Sequence, residues 1–518
     1  MSKRVVLFIL LVSLGQFVEA QTAAPNVFDV LPYSTIFPTG PFAGTLFGAT
    51  SYQGPNCSLQ ASAATATRPF CGPYFKSPSN FTTEPGIFGL ASSLNGSIAV
   101  ALSVIPLASP ASGVITRTDP TTGAELPSSI SLGPIFTERA ETIGRHKFYV
   151  GVSNQDFHFA TLNGKSISPA TMLQTQSSPT NVYLNGSPLP TLPAAVNVQM
   201  DVRLAQNVAF LTYGLTDRID VSVGLPLVHS AVSSATSNGV SYVGDGLNGN
   251  GTGNCWCVGT FTPAMAPVNG SGLTTSQVGF VRKAQTGFGD MLLRFKGNVF
   301  EGKQIAGDKV ALALGADLRL PTGDDTNFLG TGAAAVKPFA ALSLYTKDWN
   351  GVVLSPHVNV GWQFAGQSIL GGTITSTPVT VGGVPGYSAP PFTSSKGNLP
   401  DVFSWAVGTE AALGRHNTVV VDFLGNQIGW INGIQNMKTV SVQALPPSDS
   451  KGTVVTPQTV SGLVSAGLVS FGQYSGAFGY KARIIGNLVA TFNLLVRFDN
   501  NGLTARTTPL YGLSYTFF

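Results

Sequence analysis

Residues 309–325 read KVALALGADLRLPTGDD. With a period of two, Val310, Leu312, Leu314, Ala316, Leu318 and Leu320 share one side, and Ala311, Ala313, Gly315, Asp317 and Arg319 share the other. Such alternation predicts a strand with one apolar face. The stretch ends in Pro321-Thr322-Gly323-Asp324-Asp325, where Pro fixes φ, Gly frees it and Asp bonds its own backbone, so a turn follows. The fold class turns on what covers the apolar face: a second protein layer or lipid.

The pattern recurs. It predicts strands at 145–163, 196–213, 219–229, 288–300, 309–320, 335–346, 352–365, 402–413, 418–430, 472–484, 488–499 and 506–518. Phe157 and Phe159 are out of phase with Phe148, Val150 and Val152, which predicts a bulge in the first strand. Connections alternate long and short, as in up-and-down outer-membrane barrels. The expected fold is therefore an all-β transmembrane antiparallel barrel of about twelve strands. Splitting the first strand at Ser153 and adding the alternating stretch Ser97–Val104 gives the alternative, about fourteen.

Composition favours lipid. Charged residues are 10% of the 518, against roughly 25% in soluble domains. Mean hydropathy is positive, yet after the N-terminus no apolar run of about 18 residues predicts a spanning helix. A soluble sandwich with so few charges would present large bare apolar surfaces to water. A closed barrel in lipid satisfies its backbone without an edge. The net charge of +4 is too mild to suggest a nucleic-acid partner.

Residues 1–20 read as a secretory signal: basic Lys3 and Arg4, apolar Val5–Leu14, then Val18-Glu19-Ala20 before Gln21. Residues 21–131 read as an irregular Pro/Gly/Ser-rich extension, either periplasmic or plugging a lumen, and 132–518 as the barrel. Export permits disulfides among Cys57, Cys71, Cys255 and Cys257; Cys57–Cys71 is the natural local pair, but three pairings are open. The scattered His residues have no zinc-type spacing relative to these Cys, so neither metal nor cofactor is expected.

The polar phases predict inward-facing Asp220, Arg294, Lys296, Asp317, Arg319, Lys337, His357, Glu410, Asp422, Lys481, Arg483, Arg497 and Asp499. Both signs are present, so the set could line a solute path or fill a narrow interior with ion pairs. Asp317 and Arg319, about 6–7 Å apart along one face, are the leading candidates for lumen function. Asp324, Asp325 and Asn327 could hold a cation, although an Asp-rich turn is more often only a turn. No nucleophile-elbow, phosphate-loop or zinc-protease motif is present, so no catalytic residue is assigned. A rim hydrolase using His357 and Ser355 is the weaker alternative.

Several stretches resemble the MetA-pathway phenol-degradation family of bacterial outer-membrane proteins: FTERAETIGRHKFYVGVSNQDFHFATLNG (136–164), TYGLTDRIDVSVGLPLV (212–228), GFGDMLLRFKGNVF (287–300), ADLRLPTGDDTNFLGTGAAAVKPF (316–339) and LPDVFSWAVGTEAALG (399–414). The resemblance implies an outer-membrane barrel for uptake of small organic solutes, aromatic or hydrophobic. Its partners would be outer-membrane lipid, those solutes, and the barrel-assembly machinery reading Phe517 and Phe518 at the chain end. The segment before about 131 and the Cys255–Cys257 loop lie outside it. The rival reading is a non-conducting structural or surface barrel.

Overall fold

The computed structural model describes residues 24, 26–33, 86–105, 132–167, 195–237, 279–305, 308–346, 352–381, 384–414, 416–436 and 463–517, with short strands between them. The secretory signal, Cys57, Cys71 and Phe518 lie outside the described residues.

Twelve antiparallel strands close on themselves: β1 (Phe148–Phe159), β2 (Ala195–Thr216), β3 (Ile219–Ser237), β4 (Met291–Ile305), β5 (Asp308–Leu320), β6 (Ala335–Tyr345), β7 (Val352–Ala365), β8 (Val402–Leu413), β9 (Asn417–Asn436), β10 (Leu463–Ile485), β11 (Leu488–Arg497) and β12 (Thr507–Phe517). Closure is direct: β12 pairs with β1, from Leu510 opposite Gln155 to Phe517 opposite Phe148. The strand Gly279–Phe288 extends the sheet by pairing with the upper half of β3, whose lower half pairs with β4.

The alternation of the opening stretch holds throughout. On β5, Ala311, Ala313 and Asp317 are buried while Leu314 is exposed. On β7, Ser355, His357 and Gln363 are buried while Leu354, Val358, Val360, Trp362 and Phe364 are exposed. On β11, Val489, Asn493 and Leu495 face in, and Phe492, Leu494 and the following Phe498 face out. The outer wall is thus the apolar one, the inverse of a soluble protein.

Two expectations fail at the ends of strands. The first strand carries no bulge: β1 pairs with β2 in unbroken register. Phe157 and Phe159 share the inward phase of Tyr149 and Ser153; the apolar side changes from out to in because the barrel interior there is itself apolar. Val198, Met200, Val202 and Leu204 of β2 face inward at the same level. The long connection expected between the strands at 219–229 and 288–300 also contains strands. β3 runs to Ser237, and a hairpin of Gly239–Leu247 with Asn254–Phe261 places Cys255 opposite Gly246 and Cys257 opposite Val243.

The largest correction concerns Ser97–Val104 and the irregular extension around it. Gly86–Val104 is a helix, α1. Its small, apolar composition has no polar stripe, and a helix apolar all round is a buried one. Phe88, Leu90, Leu94, Ile98 and Val100 are buried together with Ser92, Ser93, Asn95 and Ser97. α1 packs inside the barrel at the long-loop end, against β9 and β10. A Cβ at Gly96 would stand 2.9 Å from the carbonyl oxygen of Asn432, so only glycine permits that approach. Among the described residues no helix is long and apolar enough to cross a membrane.

Candidate functional site

Leu132–Lys147 runs across the barrel interior near the short-turn end, and inward side chains from successive strands hold it. Lys481 donates to the carbonyls of Leu132 (3.5 Å) and Pro134 (2.6 Å). Asp422 accepts from the Phe136 amide and the Thr137 hydroxyl, both at 3.1 Å. Asn359 bonds both the amide and the carbonyl of Glu138. Ser343 accepts from the Ala140 amide at 2.9 Å. Lys296 meets the Glu138 carboxylate at 2.9 Å and the carbonyls of Arg139 and Glu141. Asp220 accepts from the Ile143 amide. A segment without secondary structure has its backbone groups satisfied by the wall, as buried polar groups require.

The close approach is enforced locally. Gly144 has φ +94°, and a Cβ on Gly214 of β2 would lie 1.8 Å from the Gly144 oxygen. The Gly214–Lys147 and His146–Gly214 backbone bonds complete the contact.

Arg139 projects from this segment between β7 and β8. Its guanidinium donates to Glu410 Oε1 from Nη2 at 2.9 Å and Nε at 3.1 Å, with both side chains fully buried. The same oxygen meets His357 Nε2 at 2.9 Å, and His357 Nδ1 meets Ser343 Oγ at 2.7 Å. Ser343, His357 and Glu410 therefore have triad-like spacing. Their burial and the Arg139 and Ala140 contacts make them a latch: a triad needs a nucleophile that substrate can reach. Ser355, the nucleophile suggested by sequence, is buried and forms no bond with His357.

The remaining inward charges meet at mid-height, around a cavity of about 200 Å³. It lies between the C-terminal end of α1 (Ala101, Ser103, Val104) and Phe136 and Glu138 of the crossing segment. Arg294 makes a two-pronged bond to Asp317 (2.6 and 2.8 Å) and reaches Glu138 at 2.7 Å. Arg319 donates to the last carbonyls of α1, those of Leu102 and Ser103, which otherwise lack partners at a helix end. Arg497 pairs with Asp499 at 3.2 Å. Lys337 also lines the cavity, whose apolar wall includes Phe136, Phe157, Phe159, Leu424 and Leu495.

The sequence-predicted residues thus fall into two groups. Asp220, Lys296, His357, Glu410, Asp422 and Lys481 hold the crossing segment; Arg294, Asp317, Arg319, Lys337, Arg497 and Asp499 stand at or beside the cavity. Arg483 lies apart near the short-turn end, half-buried. Sequence reasoning missed Glu138, Arg139, Ser343 and Asn359. The available signal was the charge density of FTERAETIGRHK (136–147) in so uncharged a chain.

The Asp-rich loop forms a turn. Asp324 bonds the Thr326 amide and hydroxyl and the Asn327 amide group, capping one 3-10 turn. Burial raises the Asp324 carboxyl pKa, but those bonds outweigh it and hold it below the usual range. Asp325 is pushed up by burial and by the neighbouring Asp324 charge. Among the described residues no cluster of His, Cys, Asp and Glu could hold a metal ion.

The chain is therefore a closed antiparallel β-barrel whose interior is occupied by its own N-terminal helix and crossing segment. No protein-family model and no curated protein matches it. Among solved structures it is similar to an outer membrane channel from Pseudomonas putida F1, at 11% identity over 73% of this chain and 98% of that one, TM-score 0.36. It is similar also to the Ralstonia pickettii toluene transporter TbuX (8% identity, 72% and 90% covered, TM-score 0.26) and to the outer membrane protease OmpT from Escherichia coli (9%, 72% and 96%, 0.21). Likenesses this distant, spanning transporters and a protease, select no function. The barrel stands on its own strand pairing.

Proposed function

We propose that the chain is a bacterial outer-membrane barrel that takes up small organic solutes, aromatic or hydrophobic, through the mid-lumen cavity. The observation that carries the reading is the pairing of two surfaces. Outside, Leu314, Val358, Phe423, Phe478 and Phe492, each at least 40% exposed, belong to an apolar belt that only lipid would cover. Inside, the cavity sets Phe136, Phe157 and Phe159 beside a few fixed charges, the usual make-up of a small-molecule site. Short turns would face the periplasm and long loops the exterior. The exposed Phe517 closing β12 supports recognition by the barrel-assembly machinery.

The crossing segment and α1 stand on either side of the cavity, so passage requires both of them to move. That double occlusion also favours the rival, a non-conducting barrel. Swelling of proteoliposomes in isosmotic solutes, with the wild-type chain and a variant lacking 86–105, separates the two. Uptake supports the channel, and greater uptake by the deletion variant identifies α1 as one of its two barriers. Impermeability of both supports the structural barrel.

A further inference from the structure

Four cationic side chains line the cavity, and the protein meets three of them. Arg294 is held by Asp317 and Glu138, Arg319 by the carbonyls closing α1, and Arg497 by Asp499. Lys337 has no hydrogen bond and no ion-pair partner among the described residues. Its register neighbour is Asp317, yet both carboxylate oxygens of Asp317 are taken by Arg294. The Lys337 stem crosses Gly361 of β7, where an added Cβ would come within 2.8 Å of Lys337 Cε. Gly361 thus leaves room for the ammonium to lie along the cavity wall instead of being pushed off it.

The Asp317 charge still acts on the ammonium from the neighbouring strand, but it is shared with Arg294, and an ammonium withdrawn from bulk water without a carboxylate in contact is unfavourable. Phe136, Phe157, Phe159 and Leu495 give the cavity an apolar patch, beside neutral polar residues such as Asn426, Gln473 and Ser475. A positive charge with no carboxylate in contact, beside an apolar patch, is complementary to a monoanion with an apolar body. We propose that the cavity binds an organic carboxylate with a ring or short hydrocarbon body. The carboxylate pairs with Lys337, and the body packs on Phe157 and Phe159. The proposal names the solute class of the uptake reading and rests on it for passage, but binding itself does not require passage.

The probes are benzoate and its neutral counterpart benzamide, titrated calorimetrically against the full-length chain in detergent. In parallel, their radiolabelled forms are followed into proteoliposomes. A charge-assisted bond lost on going to the amide predicts benzoate binding about tenfold to a hundredfold tighter. Lys337→Gln should abolish that preference; Lys337→Arg should retain it. Gly361→Val should weaken benzoate alone by displacing the lysine stem. Heat-modifiable gel mobility shows that each variant is folded. Equal binding of the two probes by the wild type, or an undiminished preference in Lys337→Gln, overturns the proposal. Benzoate binding that depends on Lys337 without entry of either compound upholds the site and overturns uptake.

Discussion

Arg139 and Glu410, 271 residues apart in the chain, form an ion pair at 2.9 Å in which neither side chain has any exposed surface. Removing one partner of such a pair leaves the other buried and uncompensated, at a cost of about 3–5 kcal/mol, whereas replacing both with apolar residues is often near neutral. Arg139→Ala should therefore loosen the crossing segment and raise single-channel conductance in planar bilayers. The double variant Arg139→Met, Glu410→Met should conduct like the wild type. Equal conductance in all three would show that this pair does not hold the segment.

The contact of Gly96 with the Asn432 carbonyl leaves no room for a side chain. Gly96→Leu should expel α1 from the barrel while the strands stay closed. Limited proteolysis should then cut between 86 and 105, and heat-modifiable mobility should be retained. Continued protection of that stretch would mean that α1 does not pack there.

The barrel interior also contains a carboxyl with a displaced titration. Burial pushes Asp29 up to about 6, against the opposing bond from Asn26. An acid whose pKa is raised on folding stabilises the folded state below its unfolded value, near 3.9, and loses that contribution as pH rises through the folded value. Docking of the helical turn at Val30–Tyr33 should weaken between about pH 4 and pH 6. Hydrogen exchange across 26–33, corrected for intrinsic rates, should accelerate over that window in the wild type but not in Asp29→Asn. Identical profiles would remove Asp29 as the cause.

Asp290 interrupts the wall between Phe288 and β4 and organises the loop that follows β5. Its carboxylate accepts from the Gly323 amide at 3.1 Å and from the Thr331 amide and hydroxyl at 2.7 Å. Loss of several bonds to a charged, buried group, each worth about 1.5–3 kcal/mol, should make 321–334 the first cleavage site of Asp290→Ala. Unchanged resistance of that loop would contradict the assignment.

The sequence made the strands legible where one face meets lipid and the other a polar interior, because a two-residue period then separates the faces. β7 is the example: its predicted limits and both of its faces match the structure. Legibility fails where that contrast vanishes. At Phe157 and Phe159 the interior is apolar, so the period remains while its meaning inverts. In α1 the Gly, Ser and Ala residues leave no stripe of period 3.6 to find, and Ser97–Val104 alternates by coincidence. The inward charges were placed from phase alone, but their partners in 136–147 were not, since contacts such as Arg139–Glu410 join distant segments with no local signature.

The most direct test of lipid as the cover of the outer wall is spin labelling along β7. Nitroxides are placed one at a time at positions 354 to 364 in a cysteine-free chain reconstituted into bilayers. Collision with oxygen, which concentrates in hydrocarbon, should peak at Leu354, Pro356, Val358, Val360, Trp362 and Phe364 and fall at the residues between. Even-numbered positions that instead collide preferentially with a water-soluble nickel complex would show that water, not lipid, covers this face.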